Sequence, residues 1–118
     1  MTPRDLARIG QLILNRGQWD GRQIVSTDWL AKSFQPYVPC DEQRRYGYFW
    51  YSGDLQYGNP PNRPITHWIG GFGYGGQRLF VMPDLGVVVA ITCGNYADEK
   101  QWMPPIRVIR DVVLAGLR

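Results

Sequence analysis

The sequence predicts an α+β domain, in which N-terminal helices and one C-terminal helix flank an antiparallel sheet of about 3–5 strands. Three observations carry this prediction. Residues 2–17 place apolar side chains at helical spacing behind a helix-start signal. Residues 46–93 contain short aromatic and β-branched runs that are separated by glycine and proline. Residues 104–117 return to helical spacing, and the length of 118 residues fits a single domain over 1–118.

The first helix has both a start and a stop signal. Thr2 is suited to the N-cap, Pro3 to the first helical position, and Asp5 lies three residues after the cap. Gly17 is the expected first residue beyond the C-cap. The apolar stripe between these signals comprises Leu6, Ile9, Leu12 and Ile13.

A short hairpin and a second helix are expected next. Asp20 and Gly21 form a strong two-residue turn signal. Ser26 or Thr27 then caps a helix that ends near Phe34.

The middle of the chain predicts the strands of the sheet. Runs 46–51, 65–69, 77–82 and 87–93 have strand character, and the proline-rich segment 53–64 predicts a loop. The run 87–93 is apolar except at Thr92, so we expect it to be covered on both faces and to lie centrally. The apolar face predicted for the last helix comprises Ile106, Ile109, Val112, Val113 and Leu117.

Composition and charge exclude several functional classes. A net charge of +3 is too small to indicate nucleic-acid binding. The apolar run 87–91 is far shorter than the roughly 20 residues of a membrane-spanning helix. No secretory signal begins the sequence, which predicts a cytoplasmic protein. Cys40 and Cys93 are too few for a disulfide framework or a cysteine zinc site, and His67 is the only histidine, so we expect neither metal nor cofactor.

Residues 71–76 fit the pattern Gly-x-Gly-x-x-Gly. The dinucleotide-binding mechanism requires a helix after this pattern, whereas residues 77–82 predict a strand. The segment also lacks the basic residue of an RNA-recognition core. We therefore interpret it as a glycine-rich strand to which another backbone or a ligand comes close. The aromatic run 46–51 is interpreted mainly as core, with a stacking platform for sugars or bases as the alternative.

Taken in order, these segments resemble the serine β-lactamase-like proteins, which include class C β-lactamases and penicillin-binding esterases. The resemblance runs through residues 2–17, 19–26 and 29–30. It continues with Tyr-Gly-Tyr-Phe-Trp at 46–50 and with the Gly-x-Gly-Gly-Gln strand and hairpin at 73–89. These segments are similar to the C-terminal part of that superfamily.

The resemblance implies a chain without its own catalytic residues. The family nucleophile lies in Ser-x-x-Lys, and none of the serines here is followed by lysine at that spacing. The residues at the lysine position are Trp29, Pro36 and Leu55, after Ser26, Ser33 and Ser52 respectively. A wall of the pocket is expected to remain and to bind a small molecule or a peptide. The candidate ligand-binding residues are Tyr48, Trp50, His67, Gly73, Gly75, Gly76 and Gln77.

The resemblance also implies an open sheet edge. In the family, two N-terminal strands lie beside the strand equivalent to residues 87–93, and no such strands are found in this sequence. We therefore expect Val87, Val89 and Ile91 to mark an edge that is covered by a homodimer or a swapped segment. The alternatives are the half of a hydrolase whose partner supplies Ser-x-x-Lys, or a folded gene fragment without a selected function.

Overall fold

The computed structural model describes residues 1–117 and has an α+β architecture. The helices are α1 (Pro3–Leu14), α2 (Thr27–Ser33) and α3 (Met103–Arg107), which continues as a π-helix over Val108–Leu114. The small sheet pairs β1 (Gln18–Trp19) with β2 (Arg22–Gln23). The large sheet contains β3 (Val38–Pro39), β4 (Arg44–Gly47), β5 (Trp50–Gln56), β6 (Ile65–Gly73), β7 (Gln77–Met82) and β8 (Val87–Ile91).

The large sheet is an antiparallel meander in which the six strands follow one another in chain order. The prediction of about 3–5 strands was therefore too low. The two-residue β3 carries no alternation that a sequence pattern would reveal. The aromatic run 46–51 was also wrongly predicted as one strand.

That aromatic run is a hairpin. β4 ends at Gly47, β5 begins at Trp50, and the two residues between them form the turn. Tyr48 and Phe49 have φ values of 46° and 69°. Such turns favour asparagine and glycine, so aromatic residues hide the turn in the sequence. Strand β5 extends through residues 53–56, which makes the following loop shorter than predicted.

Local signals at the N-terminus are confirmed. Thr2 and Asp5 form a reciprocal capping box at the start of α1. At the other end Asn15 is the C-cap, and Arg16 follows it with a φ of 54°. Gly17 thus lies one position later than predicted, because Arg16 takes the left-handed position itself.

Helices cover both faces of the large sheet. The face towards α1 and α2 has a core whose members include Ile13, Trp50, Leu79, Val81, Val88 and Ala90. The face towards the C-terminal helix has a second core, which includes Trp68, Phe80, Met82, Val89, Ile109 and Leu114. Successive residues of β7 and β8 alternate between the two cores, as the strand period of two requires.

The face predicted for the last helix is confirmed in its first part only. Ile109 is fully buried and Ile106 packs against the same core, whereas Val112 and Leu117 are 66% and 42% exposed and Leu114 is buried in their place. The two buried residues are five positions apart, which matches the i→i+5 bonding of the π-helix. No helix within residues 1–117 combines the length and the apolar character that crossing a membrane requires.

Strand β8 is covered on both faces, as predicted, but it lies at the edge of the sheet and not at its centre. Among the described residues its only strand neighbour is β7. Its side chains are apolar because helices cover both of its faces, and this can occur at an edge strand as well as at a central one. The central position was therefore wrong, and β8 is the last strand of the sheet among the described residues.

Helix α1 packs directly against β8 at Gly10. An added Cβ at this buried glycine would lie 2.4 Å from Cγ1 of Val88. Gly10 therefore sets the distance between α1 and the sheet.

We expect Gly10→Ala to lower the free energy of unfolding. Alanine would gain about 1 kcal/mol in an open helix, but crowding a packed contact costs about 1–3 kcal/mol. Urea unfolding measures the difference. The control is a cycle with Val88→Ala, in which Gly10→Ala should cost less because the clashing methyl group is gone. A Gly10→Ala protein that is more stable than the wild type contradicts this account.

Candidate functional site

The glycine segment 73–76 is the connection between β6 and β7. Gly75 and Gly76 have φ values of 84° and 95°. A Cβ at Gly75 would lie 2.5 Å from the ring of Tyr96, and one at Gly76 would lie 3.0 Å from Cβ of Cys93. The close approach predicted at these glycines is therefore made by the chain's own residues after β8. A strand and not a helix follows the segment, as predicted.

Gln77 binds the chain beyond the end of β8. Its Oε1 accepts from the N–H of Cys93 at 3.1 Å, and its Nε2 donates to the carbonyl of Cys93. Nearby, the N–H of Gly75 donates to Oε1 of Gln101 at 2.5 Å. Gly75, Gly76 and Gln77 thus lie together, and hydrogen bonds of Gly75 and Gln77 hold residues 93–101 in place.

The two aromatic candidates lie apart from this turn. Trp50 packs edge-on against Phe34, with ring centroids 5.3 Å apart, in the core beneath α1 and α2. Tyr48 contacts Trp29 and Tyr37 at interplanar angles of 54° and 83°. Rings at such steep angles do not form a flat platform for a base or a sugar.

His67 lies near the start of β6 and faces an open cavity of about 410 Å³. Its Nδ1 is 3.2 Å from Oδ1 of Asp54, which is directly opposite on β5. Ser52 and Arg45 line the same cavity. His67 and Gly73 are six positions apart on one strand, or roughly 20 Å. The predicted ligand-binding residues therefore belong to separate places and not to one pocket.

No metal centre is found in the part of the chain that the structure describes. Within residues 1–117, no three His, Cys, Asp or Glu side chains come together as a possible metal site. The His67–Asp54 pair is solvent-exposed, and no hydrogen bond joins the Ser52 hydroxyl to the His67 ring among these residues.

The outer edge of β8 is the remaining candidate surface. All five residues of β8 are partly exposed, whereas every residue of β7 after Gln77 is buried. The side chains of Val87, Val89 and Ile91 pack in the core beneath the C-terminal helix. The free edge therefore consists of backbone groups.

Gln77 also indicates which backbone groups of β8 point outward. Both backbone groups of Cys93, two residues beyond the end of β8, bond the Gln77 side chain. From the alternation of an extended strand we infer that Val89 and Ile91 direct their backbone groups towards β7. Val88 and Ala90 then direct their N–H and C=O groups away from the sheet. The sequence alone did not reveal this, because the direction depends on a side-chain contact between distant segments.

We expect Gln77→Met to destabilise the fold. The change removes both hydrogen bonds to Cys93 at nearly constant volume and should lower the free energy of unfolding by about 1–2 kcal/mol. Urea unfolding measures the effect. The matched control is Gln11→Met on α1, where the amide bonds only the exposed side chain of Asn15. Equal effects of the two changes contradict a role of Gln77 as a clamp.

Comparison with known proteins gives no match to any protein-family model and no match among curated proteins. The similarity to the serine β-lactamase-like proteins therefore stays a prediction from the sequence motifs.

Proposed function

We propose that this chain is a non-catalytic module that associates with a second copy through the edge strand β8. One observation carries the proposal. β8 is an apolar strand between two helical layers, yet one row of its backbone groups meets no strand within residues 1–117. Such a row of donors and acceptors is a template for another strand.

The other edge of the sheet differs in every feature that favours association. β3 has only two residues, and one of them is Pro39, which cannot donate a hydrogen bond. β8 has five residues and contains neither proline nor a charged side chain. Short strands and prolines are devices that protect an edge, and β8 has none of them.

A symmetric dimer would pair the outward backbone N–H and C=O groups of β8 without any further structural element. Two antiparallel β8 strands related by a twofold axis would exchange hydrogen bonds at Val88 and Ala90 of each copy. The sheets of the two copies would join into one, and the partly exposed β8 side chains would gain neighbours on each side.

A partner chain that supplies the missing strand is the second candidate. The same edge favours it, because the resemblance described above places two N-terminal strands beside the equivalent of β8. Such a partner would bring the Ser-x-x-Lys nucleophile, and the present chain would contribute the sheet. A chain that remains monomeric by itself and gains esterase activity on mixing with that half would identify this case.

We expect the wild-type chain to form a dimer and Ala90→Pro to be monomeric. Proline removes the outward N–H and places its ring at the edge, while the side chain towards α1 stays small. Light scattering over a range of concentrations measures the mass. Dissociation should move to concentrations at least about tenfold higher, which corresponds to 1.4 kcal/mol.

Two controls accompany this measurement. Val38→Pro places the same residue at the opposite edge and should leave the dimer unchanged. Circular dichroism shows whether Ala90→Pro keeps the fold. A wild-type chain that is monomeric at every concentration, or a folded Ala90→Pro variant that dimerises equally well, contradicts the proposal.

A further inference from the structure

Arg78 is a buried arginine on β7. Its side chain lies on the same face of the sheet as Phe72 and Phe80, and the residue is only 7% exposed. The guanidinium lies over the ring of Phe72, with 4.7 Å between its Cζ and the ring centroid. Its Nη1 donates to the carbonyls of Gly73 at 3.1 Å and of Gln77 at 2.7 Å. The group is therefore held in one orientation by a ring on its face and two carbonyls at one nitrogen.

No carboxylate balances this charge within residues 1–117. The basic residues that form ion pairs in that range are Arg8, Arg44, His67 and Arg110. Buried charges are normally paired, because removing an ion from water is costly. Burial lowers the pKa of the Arg78 guanidinium, and the nearby charge of Arg44 acts in the same direction.

One side of the guanidinium makes no hydrogen bond within the described part of the chain. Neither Nε nor Nη2 of Arg78 donates to a group within residues 1–117. No completely enclosed side-chain nitrogen or oxygen in that range lacks a hydrogen-bond partner, so these two nitrogens retain some accessible surface. Together they form one edge of the planar fork, which fits the two oxygens of a carboxylate.

Aromatic rings flank this fork. Phe72 lies beneath the guanidinium, and Tyr51 stacks on Phe72 with centroids 4.7 Å apart and an angle of 12° between the planes. Both rings are partly exposed. A ligand at the fork would therefore meet a single available cation beside an apolar wall, since Arg44 is already paired with Asp41.

We propose that Arg78 binds the carboxylate of a small acid whose apolar part rests on Phe72 and Tyr51. The planar fork fits a carboxylate and a phosphate alike, but one cation balances the charge of a monoanionic carboxylate and not that of a phosphate dianion. The site is independent of the proposed dimer, because both strand neighbours of β7 are present in one copy.

Titration of the isotope-labelled protein with benzoate tests this site, with amide shifts of Phe72 and Gly73 as the readout. We expect saturable binding that Arg78→Met abolishes. Arg78→Lys should weaken it about tenfold or more, because an ammonium group cannot form the two parallel bonds. Phe72→Leu should weaken benzoate more than acetate, since only benzoate uses the ring.

The matched control is Arg45→Gln. Arg45 lines the cavity at His67 on the opposite face of the sheet, so benzoate affinity should not change. Absence of saturable binding to the wild type, or unchanged affinity in Arg78→Met, overturns the proposal. Tighter binding of inorganic phosphate than of benzoate overturns the carboxylate assignment. If Arg78→Met fails to fold, the benzoate affinity of Arg78→Lys is the test. An Arg78→Lys variant that binds benzoate as tightly as the wild type also overturns the proposal.

Discussion

The burial of β7 between two helical layers is the constraint on which the rest of the structure depends. Leu79 and Val81 face α1, while Phe80 and Met82 face the C-terminal helix, and all four are almost completely buried. Such a strand needs a neighbour on each side and a helix on each face. β6 and β8 supply the neighbours, so β8 inherits two covered faces without a strand beyond it. The apolar edge follows from the position of β7.

The two polar side chains at the start of β7, Gln77 and Arg78, have different roles. Gln77 and the glycine turn direct their hydrogen bonds to residues 93–101 and stabilise the fold. Arg78, one residue later, lies on the opposite face of the sheet, and its Nε and Nη2 donate to no group within residues 1–117. A polar group that the protein itself satisfies is poorly suited to bind a ligand, whereas a fixed and partly unsatisfied one is well suited. This difference separates the structural residues from the binding residue at the same end of the strand.

The sequence allowed prediction of features that depend on neighbouring residues. The capping box of Thr2 and Asp5 and the Asp20–Gly21 turn are such features, and both are present. The turn at Tyr48 and Phe49 was hidden because aromatic residues rarely take a positive φ. The order of strands could not be read from the apolarity of β8, since helices and strands bury side chains alike. The role of Arg78 could not be predicted either, because its pairing depends on which residues distant in the sequence fold next to it.

Hydrogen exchange at the amides of Val88 and Ala90 tests the central claim most directly. We infer that their N–H groups face away from β7, where no strand lies within residues 1–117, so exchange measured by nuclear magnetic resonance at low protein concentration should be fast. Protection should rise with concentration at these two amides, while Val89, opposite Phe80 of β7, should stay protected throughout. Fast exchange of Val88 and Ala90 at every concentration would contradict the account, because β8 would then remain an open edge.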